Sequence, residues 1–279
     1  MMEISNPILV KEMRTRMRGK RAFVVLTGYI LVLSAIIGLI YWAISVNAPV
    51  SVSSMAGRIL SPVLIYVQLG LICLIAPTFS ASAISSEREQ ETFSLLIATL
   101  AKPTTILNGK LGAALTYLLL TMFGSLPLIT LTYSLGGVGL GEIALSYLVM
   151  IVAGVTFCSL SFMWSTMIRR GVLAQLVSVF TVIFLVLAMP ALGLLLTAVA
   201  NNFVTGPSTS FLNMTFLLLR TNPFAAITYL VIPGVPNPPN TVFLHSVPVW
   251  ITQVIFYLLL TALSIFISLR RLNKVREWL

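Results

Sequence analysis

The sequence is poor in acidic side chains: seven of its 279 residues are Asp or Glu, and none of the seven is Asp. Only 9% of the residues are charged, whereas about 25% is usual in a soluble domain. Hydrophobic residues make up 58% of the chain. So few charges cannot cover so many apolar side chains with a polar surface, which excludes a soluble globular fold and indicates a lipid environment.

The scarcity of titratable residues also excludes several kinds of chemistry. The single histidine, His245, has no neighbouring ligand, and both cysteines lie inside apolar runs, so we expect no metal site and no disulfide. No long apolar run carries an ionisable residue near its middle, which argues against proton relays and ion-coupled carriers. Gln68, Gln175 and Gln253 are the main polar side chains there, and we expect them to form hydrogen bonds between helices. We therefore expect no catalytic residues and no cofactor in this chain.

A nucleotide-binding loop is missing as well. Such a loop needs a glycine five residues before a Gly-Lys pair, and Ser or Thr after the pair. The two Gly-Lys pairs, at residues 19–20 and 109–110, have Arg14 and Thr104 at the position of that glycine. The chain is therefore not expected to be an enzyme that hydrolyses ATP.

Long apolar stretches dominate what the sequence does contain, and six of them reach the roughly 20 residues that a membrane-spanning helix needs. They are Ala22–Val46, Ile59–Ile84, Leu111–Leu135, Ile143–Ile168, Val172–Ala200 and Val247–Leu269. Pro127 and Pro190 lie inside the third and fifth stretches and predict kinks in those helices. The predicted fold class is an all-α polytopic membrane protein, with residues 1–279 forming one transmembrane domain.

The positions of Lys and Arg predict the orientation, because basic loops stay on the cytoplasmic side. With the N-terminus inside, 15 of the 17 basic residues are cytoplasmic, and only Arg58 and Arg220 are external. Both termini are therefore predicted to be cytoplasmic, with residues 85–110 as the first cytoplasmic loop. The net charge of +10 does not indicate a nucleic-acid partner, since membrane topology alone explains basic residues at the ends of apolar runs.

Two further segments are predicted to be helical outside the spans. In residues 1–21, Pro7 suits the first position of a helix, and Lys11, Arg14 and Arg18 suit an interfacial helix along anionic membrane lipid. The alternative is a disordered basic tail. Residues 201–246, predicted to be external, contain apolar pieces too short to span. We favour short re-entrant or interfacial helices there over a loop packed on the membrane face.

The first cytoplasmic loop holds three of the seven carboxylates within five positions: Glu87, Glu89 and Glu91. Ser86 and Glu89 have the spacing of a capping box, and acidic residues suit the first turn of a helix. Carboxylates disfavour contact with an anionic membrane surface. A protein partner with basic residues therefore fits this segment better than lipid does.

An apolar stripe follows the carboxylates. Phe93, Leu96 and Leu100 recur at the spacing of one helical face, and Pro103 is expected to end the helix. Together with the acidic start, this pattern predicts one short amphipathic helix over Ser86–Leu100.

Residues 86–111 resemble the first cytoplasmic loop of type-2 ATP-binding-cassette (ABC) transporter permeases. The resemblance lies in Ser-Glu-Arg-Glu-x-x-Thr-x-x-Leu-Leu, then Ala-Lys-Pro, then Ile-Leu-x-Gly-Lys-Leu. Glu91 stands where that family usually has glycine, and Ser94 where it usually has a second Glu. The opening Asn-Pro-Ile-Leu-Val-Lys-Glu, residues 6–12, is also similar to the first helix of the family.

The resemblance implies a permease subunit of an ATP-driven ABC transporter, in a family whose members usually export. It implies as partners an ABC ATP-binding subunit, which would hold ATP and Mg²⁺, and a second permease chain in a homo- or heterodimer. The family's first cytoplasmic loop is a coupling helix that sits in a groove of the ATPase. Carried over to this sequence, the coupling residues would be Glu87, Arg88, Glu89, Glu91, Phe93, Leu96 and Leu100.

The expected location is the plasma (inner) membrane of a prokaryote. The alternative function is that of a non-transport membrane subunit, acting in assembly or signalling without a substrate path. An adjacent reading frame with a nucleotide-binding loop would favour the permease.

Overall fold

The computed structural model describes residues 7–17, 20–47, 53–91, 103–203, 217–232, 235 and 247–276. Its described part is helical and without strands. Six of its helices are long and apolar enough to cross a membrane, which confirms the predicted all-α polytopic fold. Each of the six coincides with one of the predicted stretches, because a run of about 20 apolar residues has no other stable arrangement in lipid.

The six spans differ in how regular they are. Span 1 is Lys20–Asn47, span 2 is Ser53–Ser80, span 4 is Leu140–Met167 and span 6 is Val249–Arg276. Span 3 consists of Pro103–Gly124 and Leu126–Ser134, and span 5 of Gly171–Ile183, the π-helical turn Phe184–Ala188, and Met189–Phe203. Three shorter helices complete the described part: the N-terminal helix Pro7–Met17, the loop helix Ser85–Glu89 and the short helix Pro223–Val231.

The start of span 3 differs from the prediction. The helix begins at Pro103 rather than at Leu111. Whether another helix ends before Pro103, as the sequence predicts, lies outside the described residues. Proline suits a first helical position because the N–H that it lacks has no partner there. As a consequence, Lys110 lies inside the helix and not in a loop.

Both predicted kinks are confirmed. Span 3 breaks at Ser125, two residues before Pro127, and span 5 changes to a π-helical turn just before Pro190. Pro190 has no N–H, so the carbonyl of Val186, four residues earlier, loses its α-helical partner. The side-chain amide of Asn222 replaces it, with Nδ2 donating to the Val186 oxygen at 2.6 Å.

Asn222 also begins the short helix Pro223–Val231. Its Oδ1 accepts hydrogen bonds from the backbone N–H groups of Phe224 and Ala225, at 2.7 and 3.4 Å. The side chain therefore caps one helix and satisfies the interrupted carbonyl of another. The short helix packs against spans 2, 4 and 6, where Tyr66 of span 2 donates to Thr228 Oγ1 at 2.8 Å. Whether this helix is re-entrant in a membrane stays a prediction.

Spans 2 and 4 form the centre of the bundle. Of their most apolar stretches, 56% and 61% of the residues are buried, against 11% and 17% in spans 1 and 5. Gly154 allows the close approach at this centre, since a Cβ there would lie 2.9 Å from Leu118 Cδ1 and 3.4 Å from Ile72 Cγ2. Cys73 and Cys158 are both buried, as their positions inside apolar runs predict.

A polar cluster joins spans 2, 3 and 4 at the break in span 3. Gln68 Nε2 donates to Ser125 Oγ at 2.8 Å, which confirms the predicted interhelical bond of Gln68. Ser125 gives its own proton to the Met122 carbonyl, at 2.6 Å, so the hydroxyl of Tyr147, 3.1 Å away, is the donor in that pair. For Gln253 the prediction is wrong within the described part, where neither amide atom has a partner.

The turn between spans 3 and 4 packs against the beginning of span 2 through glycine. A Cβ at Gly57 would lie 2.4 Å from the Leu135 carbonyl oxygen and 2.6 Å from Gly137 N. Both contacts are to backbone, which cannot rotate away as a side chain can.

Gly57→Ala is therefore expected to destabilise the protein by about 1–3 kcal/mol, as overpacking does. Gly70→Ala, in the same span, is the matched control, because a Cβ there meets nothing within 4 Å. Unfolding of the purified variants in detergent would measure the difference. Equal stability of the two variants would contradict this packing.

The N-terminal helix lies against span 3. Ile8 and Leu9 are half-buried while Lys11 and Arg14 are exposed, so its faces differ as an amphipathic helix requires. Leu9 packs over Gly112, where a Cβ would lie 3.1 Å from Leu9 Cδ1. The helix predicted within residues 1–21 is therefore present over Pro7–Met17, and its position along lipid stays a prediction.

Candidate functional site

Lys110 is the centre of the candidate site. Its side chain is only 3% exposed, and its Nζ lies 2.7 Å from Glu87 Oε1, 3.1 Å from Glu12 Oε1 and 2.8 Å from the Ala83 carbonyl oxygen. An ammonium group has three N–H donors and no acceptor. Three acceptors therefore satisfy it fully, and we call this arrangement the Lys110 clasp.

The clasp connects three elements that are distant in sequence. Glu12 comes from the N-terminal helix, Lys110 from span 3, and Ala83 and Glu87 from the segment that follows span 2. A buried ammonium is costly without partners, whereas hydrogen bonds between charged groups are short and strong. The clasp therefore holds the beginning of the predicted coupling loop against both the N-terminal helix and span 3.

Arg88 provides a second attachment of the same segment. Its Nη1 donates to the Thr166 carbonyl oxygen at 2.9 Å, at the end of span 4, where carbonyl groups lack helical partners. Burial lowers the pKa of the Arg88 guanidinium, and the positive charges of Arg169 and Arg271 lower it further. Arg88 thus lies at one end of the bundle among other arginines, and we call this end the basic end.

Span 4 also holds the segment through Ser165. Its Oγ accepts hydrogen bonds from the backbone N–H groups of Ile84 and Ser85, at 2.8 and 3.0 Å. These are the N–H groups at the start of the loop helix, where the backbone needs an outside acceptor. The hydroxyl of Ser165 thus caps the loop helix, which has no capping side chain of its own.

Glu89 makes the attachment to span 5. Its Oε2 accepts a hydrogen bond from Gly171 N at 3.0 Å, and Gly171 is the first residue of span 5. A carboxylate is favourable at this position because the N-terminus of a helix carries partial positive charge. A Cβ at Gly171 would lie 3.3 Å from the same oxygen, so glycine leaves room for the contact.

The predicted capping box of Ser86 and Glu89 is wrong. The residue before the loop helix is Ile84, which makes no side-chain cap, and Ser86 Oγ donates to the Ser82 carbonyl oxygen instead, at 2.5 Å. Glu89 prefers the distant N–H of Gly171. Long-range partners have replaced the local ones that the spacing suggested.

The continuous helix predicted over Ser86–Leu100 is also wrong. The loop helix ends at Glu89, and Glu91 has a φ of 58°, in the left-handed region that favours glycine. Glu91 is the position at which the resembling permeases usually have glycine. A glutamate therefore adopts here a backbone conformation that glycine suits better.

The structure brings together three of the seven predicted coupling residues. Glu87, Arg88 and Glu89 bond the segment to spans 3, 4 and 5, so the carboxylates of Glu87 and Glu89 already have partners inside the chain. Whether a basic protein partner also contacts these two carboxylates stays a prediction. Glu91 is exposed. The remaining predicted residues, Phe93, Leu96, Leu100 and Arg18, lie outside the described residues.

Glu12 and Lys110 form the part of the site that sequence reasoning missed. The basic-residue pattern predicts Lys110 in a cytoplasmic loop, whereas its side chain is buried in span 3. One feature of the sequence bears on this pairing. The chain has only seven acidic residues, and two of them pair with Lys110. Within the described part, no three His, Cys, Asp or Glu side chains come together to hold a metal ion.

Comparison with known proteins bears on the whole chain. The family described as ABC-2 family transporter protein matches residues 6–275. No curated protein matches the sequence. The family match includes the N-terminal helix, all six spans and every element of the Lys110 clasp. The chain therefore belongs to the ABC-2 transporter family and is a multi-pass membrane permease subunit of an ABC transporter.

Proposed function

We propose that this permease works as a dimer in an exporter, with ATP and Mg²⁺ bound by separate ABC ATP-binding subunits. The lack of a nucleotide-binding loop in the sequence supports the division between subunits. The faces of spans 1 and 5 support the dimer, because these spans bury little within one chain and leave apolar side chains for a second permease or for lipid. By the positive-inside rule the basic end is cytoplasmic, in the plasma membrane of a prokaryote.

The Lys110 clasp is the observation that carries this proposal. Residues 92–102 connect two anchored points, the segment Ser85–Glu91 and the start of span 3 at Pro103. The first anchor is bonded to spans 3, 4 and 5, and through Lys110 it is connected to Glu12 of the N-terminal helix. A partner that moved the loop would therefore move these elements together. This is the mechanical requirement for coupling ATP hydrolysis in one subunit to transport in another.

Phe93→Ala is expected to weaken docking of the ATP-binding subunit while leaving the permease inserted in the membrane. A large apolar anchor in an interface contributes about 2 kcal/mol or more, which corresponds to a loss of roughly 30-fold in affinity. Co-purification of the ATP-binding subunit, normalised to permease abundance, would measure the loss.

Phe123→Ala is the matched control for this experiment. Phe123 lies in span 3 and is 62% exposed on the apolar surface, away from the loop. Phe123→Ala removes the same type of side chain at a position outside the proposed interface. Wild-type recovery of the ATP-binding subunit with Phe93→Ala would refute docking through the loop.

A further inference from the structure

Span 1 is attached to the rest of the bundle through one narrow face. Only 11% of its most apolar stretch is buried, and among its described side chains only Tyr29 and Leu33 are buried, with 4% and 0% exposed. The same face contacts span 3, because a Cβ at Gly124 would lie 3.4 Å from Leu26 Cδ1 and 3.7 Å from Ile30 Cδ1. Gly124 is the last residue before the break in span 3. Span 1 therefore meets the bundle beside this break.

Two buried polar atoms at this contact lack a hydrogen-bond partner within the described part of the chain: the hydroxyl of Tyr29 and Oε1 of Gln68. Gln68 is 0% exposed and reaches the break through its Nε2, which donates to Ser125 Oγ at 2.8 Å. The polar side chains that act on the Tyr29 hydroxyl include Ser125 and Gln68. An unused donor and an unused acceptor are thus buried together, although unpaired polar groups are costly inside a protein.

The hydroxyl of Ser125 is not free to accept a bond from Tyr29. It donates to the Met122 carbonyl oxygen at 2.6 Å, and it accepts from Gln68 Nε2 at 2.8 Å and from the Tyr147 hydroxyl at 3.1 Å. A hydroxyl has one proton and two lone pairs, so its capacity is used completely. The amide oxygen of Gln68 is the acceptor that remains without a bond.

We propose that Tyr29 and Gln68 form a latch between spans 1 and 2, which closes when the Tyr29 hydroxyl donates a hydrogen bond to Gln68 Oε1. The structure shows this latch open, with donor and acceptor buried but unbonded. Both groups are uncharged, so closing the latch brings no charge into the apolar core. Little of span 1 has to be repacked, since little of it is buried. The latch therefore gives span 1 two positions relative to the bundle.

The latch leaves the outer face of span 1 unchanged. Leu31 and Trp42, 62% and 65% exposed, lie on the side of the helix opposite Tyr29. That side remains available to a second permease or to lipid in both positions of the span. Because Gln68 is also bonded to Ser125, a closed latch connects span 1 to the break in span 3 as well as to span 2.

Double electron–electron resonance on the full chain in lipid nanodiscs would test the latch, and it needs no ATP-binding subunit. Spin labels would be attached to Val46→Cys on span 1 and Ile255→Cys on span 6, at positions 63% and 53% exposed, with excess unlabelled permease to suppress distances between chains. The wild-type protein is expected to show a shorter and a longer distance. Tyr29→Phe should lower the ratio of the shorter to the longer population by about fivefold, the effect of one hydrogen bond.

Tyr41→Phe is the matched control, because it removes the same hydroxyl from an exposed position of the same span; it should leave the ratio unchanged. Gln68→Met removes the acceptor, so Tyr29→Phe should have no further effect in that background. An unchanged distance distribution in Tyr29→Phe would overturn the proposal, as would additive effects of the Tyr29 and Gln68 changes. A water molecule that bridges the two side chains in a high-resolution structure would overturn the direct bond and with it the latch.

Discussion

Lys110→Met is expected to destabilise the protein by about 3 kcal/mol, because removing one partner of a buried ion pair leaves the other charges uncompensated. The carboxylates of Glu12 and Glu87, both about one-fifth exposed, would face each other without the ammonium between them. The Ala83 carbonyl would lose its donor as well. Unfolding of the purified variant in detergent measures the loss. In the complex, ATP hydrolysis should continue while transport falls, because the loop would no longer move the N-terminal helix.

Two further variants separate charge from size at this site. Lys274→Met removes an exposed lysine and should change stability by less than about 0.5 kcal/mol, as surface substitutions do. The triple variant with Lys110→Met, Glu12→Leu and Glu87→Leu replaces the whole clasp by apolar side chains. It should recover most of the lost stability, since apolar replacement of a complete buried ion pair is often neutral, but it should not recover coupling. A stable and fully coupled Lys110→Met protein would show that the clasp has no function.

Asn222→Ala is expected to destabilise the protein by about 2–4 kcal/mol, because one side chain fills two roles. Loss of an N-cap costs about 1 kcal/mol, and a buried carbonyl left without a donor costs about 1–3 kcal/mol more. The affected groups are the first N–H groups of the short helix and the Val186 oxygen. Asn222→Asp removes only the hydrogen bond to the Val186 oxygen. Its carboxylate can still cap the short helix, but it has no N–H group to donate. Unfolding in detergent again measures both costs.

Pro190→Ala offers an internal test of this reasoning. Alanine restores an N–H at the position from which an α-helix would bond the Val186 carbonyl, so the donor of Asn222 becomes less necessary. Asn222→Ala should therefore cost less in the Pro190→Ala background than in the wild type, by about 1 kcal/mol or more of coupling. Additive effects of the two changes would mean that the Asn222 bond does not compensate for the proline.

The spans could be predicted from the sequence because apolar length and proline positions act locally. The ends of the spans could not, as Lys110 shows. A lysine next to an apolar run is normally assigned to the aqueous side, and only its contacts with Glu12 and Glu87 make its burial possible. Those contacts join residues 98 and 23 positions apart. No local pattern encodes such distances.

In the candidate site, the structure of the loop helix likewise depends on partners that are distant in sequence. The spacing of Ser86 and Glu89 favours a capping box, but Gly171 N donates to the Glu89 carboxylate, and Ser165 Oγ accepts from the first N–H groups of the loop helix. Proline is compatible with a position just after a helix or in the first turn of one. The residues around Pro103 do not indicate which of the two applies.

Site-specific photo-crosslinking in intact membranes tests the central claim most directly. A photoreactive amino acid would replace Phe93 in the proposed coupling loop or, as the control, Asn240 in the region predicted to be external, with the ATP-binding subunit expressed together with the permease. We expect a covalent adduct with the ATP-binding subunit from position 93 and none from position 240. An adduct from position 240, or none from position 93 in a complex that still hydrolyses ATP, would contradict docking through the first cytoplasmic loop.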